Sequence, residues 1–264
     1  MPTVEFNFRE VCTLLGRPFK PAELKDVIPM LGVGLERIDE TTLVMEVFPN
    51  RTDLLSVEGF SRALKGFLGL QVGGVSYPVL RSNVVLNVEA SVKTVRPCIA
   101  CAVIEDVVID EPQLISLMNM QEKLHLTHGR DRRRVAIGVH DSRRLKPPYY
   151  YTAVKPDSVS FVPLDMPKEL NLSQILINHP KGRAYAWALR GLEKYPLIVD
   201  SAGQVLSFPP IINGELTRVS ADTENIFVEI TGLNQPAVEQ ALNIVCTSIA
   251  DRHGRLKSVE VRGL

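Results

Sequence analysis

The chain lacks the common sequence signatures of chemistry. It has no GxSxG, HExxH, GxxxxGKS/T or GxGxxG, so a serine hydrolase, a zinc protease, a nucleotide phosphate loop and a dinucleotide fold all lack their signals. It also lacks an excess of either charge. Thirty Lys and Arg meet thirty Asp and Glu, so any RNA contact has to come from a local patch. There is no run of eighteen apolar residues and no basic-then-apolar leader, since Glu5 and Arg9 interrupt the start; a cytoplasmic chain with no membrane partner is expected. Cysteine is sparse, four in 264 residues, too few for a disulfide scaffold. Cys98-Ile99-Ala100-Cys101 has the spacing of a metal or redox pair but sits in a strand-like run without a second pair, so no metal site is expected. His125 and His128 lack a third ligand at a familiar offset and read as surface or capping histidines.

What is present is an ordinary globular composition, 45% hydrophobic and 23% charged, in a chain long enough for one large or two modest domains. Thr3 to Asn7 reads as a strand, Arg9 to Leu15 and Pro21 to Leu31 as helices, and Leu35 to Ile38 with Leu43 to Phe48 as a hairpin. Ser56 is placed to cap a helix with the stripe Val57, Phe60, Leu64, Phe67 and Leu68, closed by Gly69. The glycine-rich stretch 69–82 reads as a linker, which divides the chain into a small mixed domain, 1–82, and a larger unit, 83–264. In the larger unit strands predominate: 84–88, 99–108, 134–140, 149–153, 158–162, 195–199, 205–208, 226–231 and 254–262. Helices interrupt them at Pro112 to His128, with Leu114, Leu117, Met118, Gln121 and Leu124 on one side, at Leu172 to His179, and at Pro236 to Ala250, with Val238, Leu242, Val245 and Ile249 inward. This order favours an α+β fold with a mixed or antiparallel sheet and packed helices.

One stretch, Val205 to Gly232, has the profile of a site. Pro209-Pro210 cannot donate ladder hydrogen bonds, so pairing stops after Phe208, and Asn213-Gly214 signals a turn. The strand from Asn225 to Thr231 alternates, with Glu229 and Thr231 on one face and Ile226, Val228 and Ile230 on the other. From the residues alone, Glu229 is either part of a pocket or a solvated residue on an edge strand. Arg130, Arg132, Arg133 and Arg134, beside a helix carboxyl end, either hold RNA phosphate or offset that end's partial charge. His140-Asp141 is either an orienting pair near a pocket or a satisfied structural pair.

Five segments, in order, carry a resemblance that covers the chain: MPTVEF at the start, EVFPNRTDLLSVEGFSRALKGFLG from Glu46 to Gly69, VRPCIACAVIEDV from Val95, MQEKLHLTHGRDRRRVAIGVHD from Met120 to Asp141, and YPLIVDSAGQVLSFPPIING. Together they resemble phenylalanyl-tRNA synthetase beta subunits of the archaeal and eukaryotic-cytosolic type. The resemblance implies that 83–264 is an editing domain of the B3/B4 kind, which hydrolyses the ester of tyrosine mischarged onto phenylalanine tRNA. It implies an alpha-subunit partner in a heterotetramer, with ATP and magnesium used by the whole synthetase and no cofactor in this chain. Glu229, where relatives tend to have Asp, is then the acceptor for the phenolic hydrogen. Ile198, in place of a Leu, lines the pocket, and Ser207 and His140 touch the substrate. Nothing looks like a Ser-His or Cys-His nucleophile, so the reaction implied is attack by a water held by Ser207, Thr231, Asn213 or loop amides, with the tRNA's ribose hydroxyl assisting and His140 in reserve as acid or base. The alternative is a non-catalytic module for tRNA binding and subunit assembly, centred on Asn50 to Leu55.

Overall fold

The computed structural model describes residues 2–263; Met1 of the opening motif and Leu264 lie outside it. The first part comprises β1 (Thr3–Asn7), α1 (Phe8–Leu15), α2 (Pro21–Leu24), β2 (Val33–Ile38), β3 (Thr42–Val47) and α3 (Val57–Phe67). The strands form an antiparallel sheet in the order β1-β3-β2. Asn7 ends β1 and starts α1, its side chain accepting the Arg9 and Glu10 N–H groups at 2.9 and 3.3 Å. The helix expected over Pro21 to Leu31 is instead α2 and a separate 3-10 turn, Ile28–Leu31. Pro29 has no N–H to continue the ladder and sits instead in the first turn of the new 3-10 segment, where that N–H is not needed. Ser56 caps α3 by accepting the Gly59 N–H at 2.9 Å. Phe67 is exposed rather than on the buried stripe, because α3 ends there.

Residues 68–79 hold no helix or strand, but β4 (Leu80–Val88) begins earlier than expected and takes in 80–82. There follow β5 (Cys98–Glu105), α4 (Glu111–Leu126), β6 (Val135–Asp141), β7 (Tyr149–Val154), β8 (Ser160–Phe161), β9 (Leu170–Asn171), α5 (Leu172–Asn178), α6 (Pro180–Tyr185), β10 (Tyr195–Val199), β11 (Val205–Phe208), β12 (Ile212–Asn213), β13 (Ile226–Gly232), α7 (Gln235–Ala250) and β14 (Arg255–Arg262). Nine strands form one mixed sheet in the order β12-β11-β10-β7-β4-β14-β5-β13-β6, parallel only where β4 meets β7 and β14. The α+β class with a mixed sheet therefore holds. The two-residue strands β9 and β12 and the short helix α6 carry too little pattern to be read from sequence.

Two cores line the two faces of this sheet. On the outer face α4 and α7 cover Ile226, Val228 and Ile230, and the same apolar cluster continues without a break into Phe8, Phe60 and Leu64 of the first part. Ser56 Oγ meets Ser248 Oγ at 2.9 Å, Arg62 pairs with Asp251 at 2.6 Å, and Arg252 bonds Glu10 and Glu58. On the inner face Val103, Tyr149, Tyr151, Ile198, Leu206 and Phe227 fill the concavity. A third cluster sits under α5 and α6, around Leu172, Ile175, Leu197 and Phe208.

Two residues of α4 differ from the expected stripe. Met118 is exposed, and the buried side is Leu117, Met120, Leu124 and His125, because α4 lies wedged against both the first part and β6. His125 is thus a core residue and not a surface or capping one: the Ile137 N–H donates to its Nε2 at 2.8 Å. Burial pulls its pKa down to about 4. The unfolded chain takes up that proton near pH 6.5 and the folded chain does not, so folding stability falls as pH drops from about 6.5 toward 4, by about 1.4 kcal/mol per unit and about 3 kcal/mol in all. Urea midpoints measured at pH 7 and pH 4.5 are expected to separate less in His125→Gln than in the unaltered chain; an equal separation would refute the assignment.

Candidate active site

β13 lies between β5 and β6, inside the sheet and not at its edge. Its alternation sends Phe227, Glu229 and Thr231 into the inner face, the opposite side from Ile226, Val228 and Ile230. Glu229 is 2% exposed, so the solvated edge-strand reading does not hold. Its register partner on β6 is Gly138. A Cβ on Gly138 would stand 2.2 Å from Glu229 Oε1 and 2.7 Å from His140 Nε2, so only glycine leaves room for the carboxylate and the imidazole to lie over this strand. His140 Nε2 stands 3.7 Å from Glu229 Oε1, and its Nδ1 stands 2.8 Å from Thr217 Oγ1. Neither His140 Nε2 nor Glu229 Oε2 has a hydrogen-bond partner among the described residues. A buried polar atom left unpaired costs about 1–3 kcal/mol, so two such atoms on neighbouring side chains mark a candidate place for a ligand's polar group.

A touch by both Ser207 and Glu229 on one substrate suggests neighbouring strands. Their strands are not neighbours: β10, β7, β4, β14 and β5 all lie between β11 and β13. The sheet brings them together by curling until its two ends meet, with Asn213 Nδ2 donating to Val139 O at 3.4 Å and Thr217 reaching His140. A bulge completes this wall. Ile198 pairs with Ser207 and Val199 with Val205, leaving Leu206 extra, so both Leu206 and Ser207 turn inward. Ser207 in turn faces Asn213 and donates to its Oδ1 at 3.3 Å. The chain reverses at Pro209-Pro210, with the Ile211 N–H donating to Phe208 O at 2.8 Å, rather than at Asn213-Gly214. Gly214 is extended, and a Cβ there would stand 2.6 Å from Val205 O.

Thr231 lies on the same face as Glu229, but its Oγ1 accepts Arg96 Nε at 2.9 Å. Arg96, absent from the sequence-based set, is buried and also donates to the carbonyls of Thr231 at 2.8 Å and Arg132 at 3.3 Å. Burial lowers its pKa from the ordinary value, with Tyr151 and Glu229 pulling the other way.

The four arginines divide. Arg130, Asp131 and Arg132 take left-handed backbone angles in succession, φ +48°, +57° and +63°, a turn in which Arg132 points inward and its neighbours Arg130, Asp131 and Arg133 stay exposed. Arg132 is buried and donates to Pro210 O and Ile211 O at 3.1 and 2.9 Å and to Glu122 at 2.9 Å, with its guanidinium 4.3 Å from the Tyr185 ring centre. It braces the turn at the head of β12 and is closed to RNA. Arg130, Arg133 and Arg134 remain outside around an open recess of about 460 Å³, with Arg133 stacked 4.5 Å from Trp187. His140 and Asp141 do not form a pair. Neighbours on a strand point to opposite faces, and Asp141 is bound by Arg143 at 2.7 Å and Thr223 at 2.8 Å.

The chain matches the family model described as the B3/4 domain over residues 112–253. It is 41% identical over 261 residues to the phenylalanine–tRNA ligase beta subunit of Methanosphaera stadtmanae, covering 99% of this chain and 47% of that protein. It is 45% identical to the corresponding subunit of Methanothrix thermoacetophila, covering 99% of this chain and 48% of the relative. It thus spans about half the length of these curated relatives. Among solved structures, an N-terminal fragment of the phenylalanyl-tRNA synthetase beta subunit from Pyrococcus horikoshii superposes with a TM-score of 0.93 at 37% identity, covering 99% of this chain and 77% of the fragment.

Gly138→Ala forces the carboxylate and the imidazole apart, and overpacking of this kind costs about 1–3 kcal/mol. The expected outcome is a lower urea midpoint with unchanged slope; an unaltered midpoint would show that Glu229 has room elsewhere.

Proposed function

The chain belongs to the family of phenylalanyl-tRNA synthetase beta subunits, over a region that contains the B3/4 domain, and on that premise we propose that it hydrolyses the ester joining tyrosine to phenylalanine tRNA. Tyrosine exceeds phenylalanine by one phenolic oxygen. An apolar synthetic pocket rejects an added hydroxyl by only about a hundredfold, whereas a site built to hydrogen-bond that hydroxyl disfavours the analogue lacking it by about 10⁴ or more, since its own polar atoms are then left unpaired. The observation that carries the reading is the unpaired Glu229–His140 couple set among Phe227 and other apolar side chains of the inner core. These are buried polar atoms left unpaired beside an aromatic ring, with His140 and Phe227 6.1 Å apart centre to centre.

The chemistry falls to water. Ser207 Oγ is bonded to the Asn213 amide rather than to a base, and the hydroxyl beside His140, that of the buried Thr217, meets Nδ1 and not the Nε2 that faces Glu229. Ser207 and Asn213 hold the water or the developing oxyanion, while Thr231 supports the site through Arg96. Arg130, Arg133 and Arg134 supply the positive surface for tRNA phosphate. The alpha subunit is the partner that carries aminoacylation. A purely assembling module centred on Asn50 to Leu55 has less to offer, for Leu54 and Leu55 are core residues and Arg51 is paired with Asp53 at 2.8 Å.

Incubated with phenylalanine tRNA mischarged with tyrosine, the chain is expected to release tyrosine. Glu229→Ala is expected to lose about 10- to 100-fold in rate, the share of one hydrogen bond to a charged group. Glu229→Gln, which removes an unpaired buried charge, is expected to leave the thermal midpoint level or higher. A Glu229→Ala protein as fast and as selective as the original would take Glu229 out of the pocket.

A further inference from the structure

The two nitrogens of His140 have unlike surroundings. Nδ1 lies 2.8 Å from Thr217 Oγ1, while Nε2 has no hydrogen-bond partner among the described residues and faces Glu229 Oε1 at 3.7 Å. The single hydrogen of the Thr217 hydroxyl has two acceptors in reach, His140 Nδ1 and the Gly214 carbonyl at 3.1 Å. That carbonyl already accepts the backbone N–H of Thr217 itself, also at 3.1 Å. Nδ1 is closer and has no other donor among the described residues. On the far side of the ring, a carboxylate oxygen facing Nε2 favours a hydrogen on that nitrogen over a second lone pair. Both ends of the ring therefore point to the same tautomer.

We infer that Thr217 is a positioning residue, which by donating to Nδ1 holds His140 as its Nε2–H tautomer and so makes His140 a donor and Glu229 an acceptor directed at one point. At 3.7 Å the pair is too far apart for a direct bond. One oxygen seated to the side of the gap lies within ordinary hydrogen-bond distance of both. It accepts from His140 Nε2–H and passes its own hydrogen to Glu229. A phenol offers that combination of acceptor and donor on one atom, and a plain benzyl ring offers neither. The opposite tautomer would set a lone pair against the phenol oxygen, and discrimination would rest on Glu229 alone. The tautomer is a property of the chain itself, whereas its use in selecting tyrosine rests on the proofreading activity proposed above.

Two measurements separate these parts. Imidazole ¹⁵N resonances of the intact chain are expected to show His140 Nδ1 pyridine-like and Nε2 pyrrole-like; a pyrrole-like Nδ1 overturns the inference whatever the chain hydrolyses. Thr217→Val removes the hydroxyl at nearly constant shape, and Thr217→Ser restores it. With tRNA esters of tyrosine and phenylalanine, Thr217→Val is expected to lose about tenfold of the preference for tyrosine, the share of one neutral hydrogen bond, and Thr217→Ser to regain it. Equal preference in all three proteins, each first shown to be folded, overturns the role in selectivity. No tyrosine release from the unaltered chain defeats the proofreading proposal instead, and the resonances then decide Thr217 alone.

Discussion

The constraint on which the site depends is the closure of one curled sheet on itself. Glu229 and His140 are neighbours because β13 and β6 pair in register, but their surroundings come from the far end of the same sheet. Without the contacts of β12 and the following turn with β6, the inner face would open to water and Glu229 would be an ordinary solvated acid. Closed, it is a carboxylate with an unpaired oxygen in an apolar concavity, which is unfavourable for folding and useful for recognising a donor.

Two arginines maintain that closure, and neither acts as a surface charge. Arg132 holds the carbonyls of Pro210 and Ile211, which fixes the head of β12 against the turn that follows α4. Arg96 binds Thr231 and reaches the carbonyl of Arg132, so the same turn is tied to β13. The turn of three left-handed residues is thus anchored to both walls of the site, while its outward arginines border the basic recess. A segment so strained persists only where its surroundings fix it, and here these buried guanidiniums are part of what fixes it.

Much of the fold was legible because its elements are long and regularly patterned. The alternation of β13 placed Glu229 and Thr231 on one face correctly, and α7 and the hairpin of the first part lie close to where their periodicity put them. The errors have local causes. Pro29 broke a helix, α4 turned its buried side to suit two neighbours, and the bulge at Leu206 re-aimed Ser207 in a way that simple alternation does not foresee. Gly138 did carry a signal, for an isolated glycine inside a strand marks close approach of another group. Thr217 and Arg96 carried none, since a lone threonine in a loop and a lone arginine before a strand look like any others.

By itself the sequence determined which residue types alternate and where proline stops pairing, because these depend on covalent geometry and on neighbours a few positions apart, and it determined the family, because ordered segments along the whole chain carry it. Tertiary structure alone decided that Glu229 is buried, that Arg132 faces inward while Arg130, Arg133 and Arg134 stay outside, and that Thr217 meets His140. Those are contacts between groups tens of residues apart. Their distances follow from the curl and closure of the whole sheet, which no local pattern encodes.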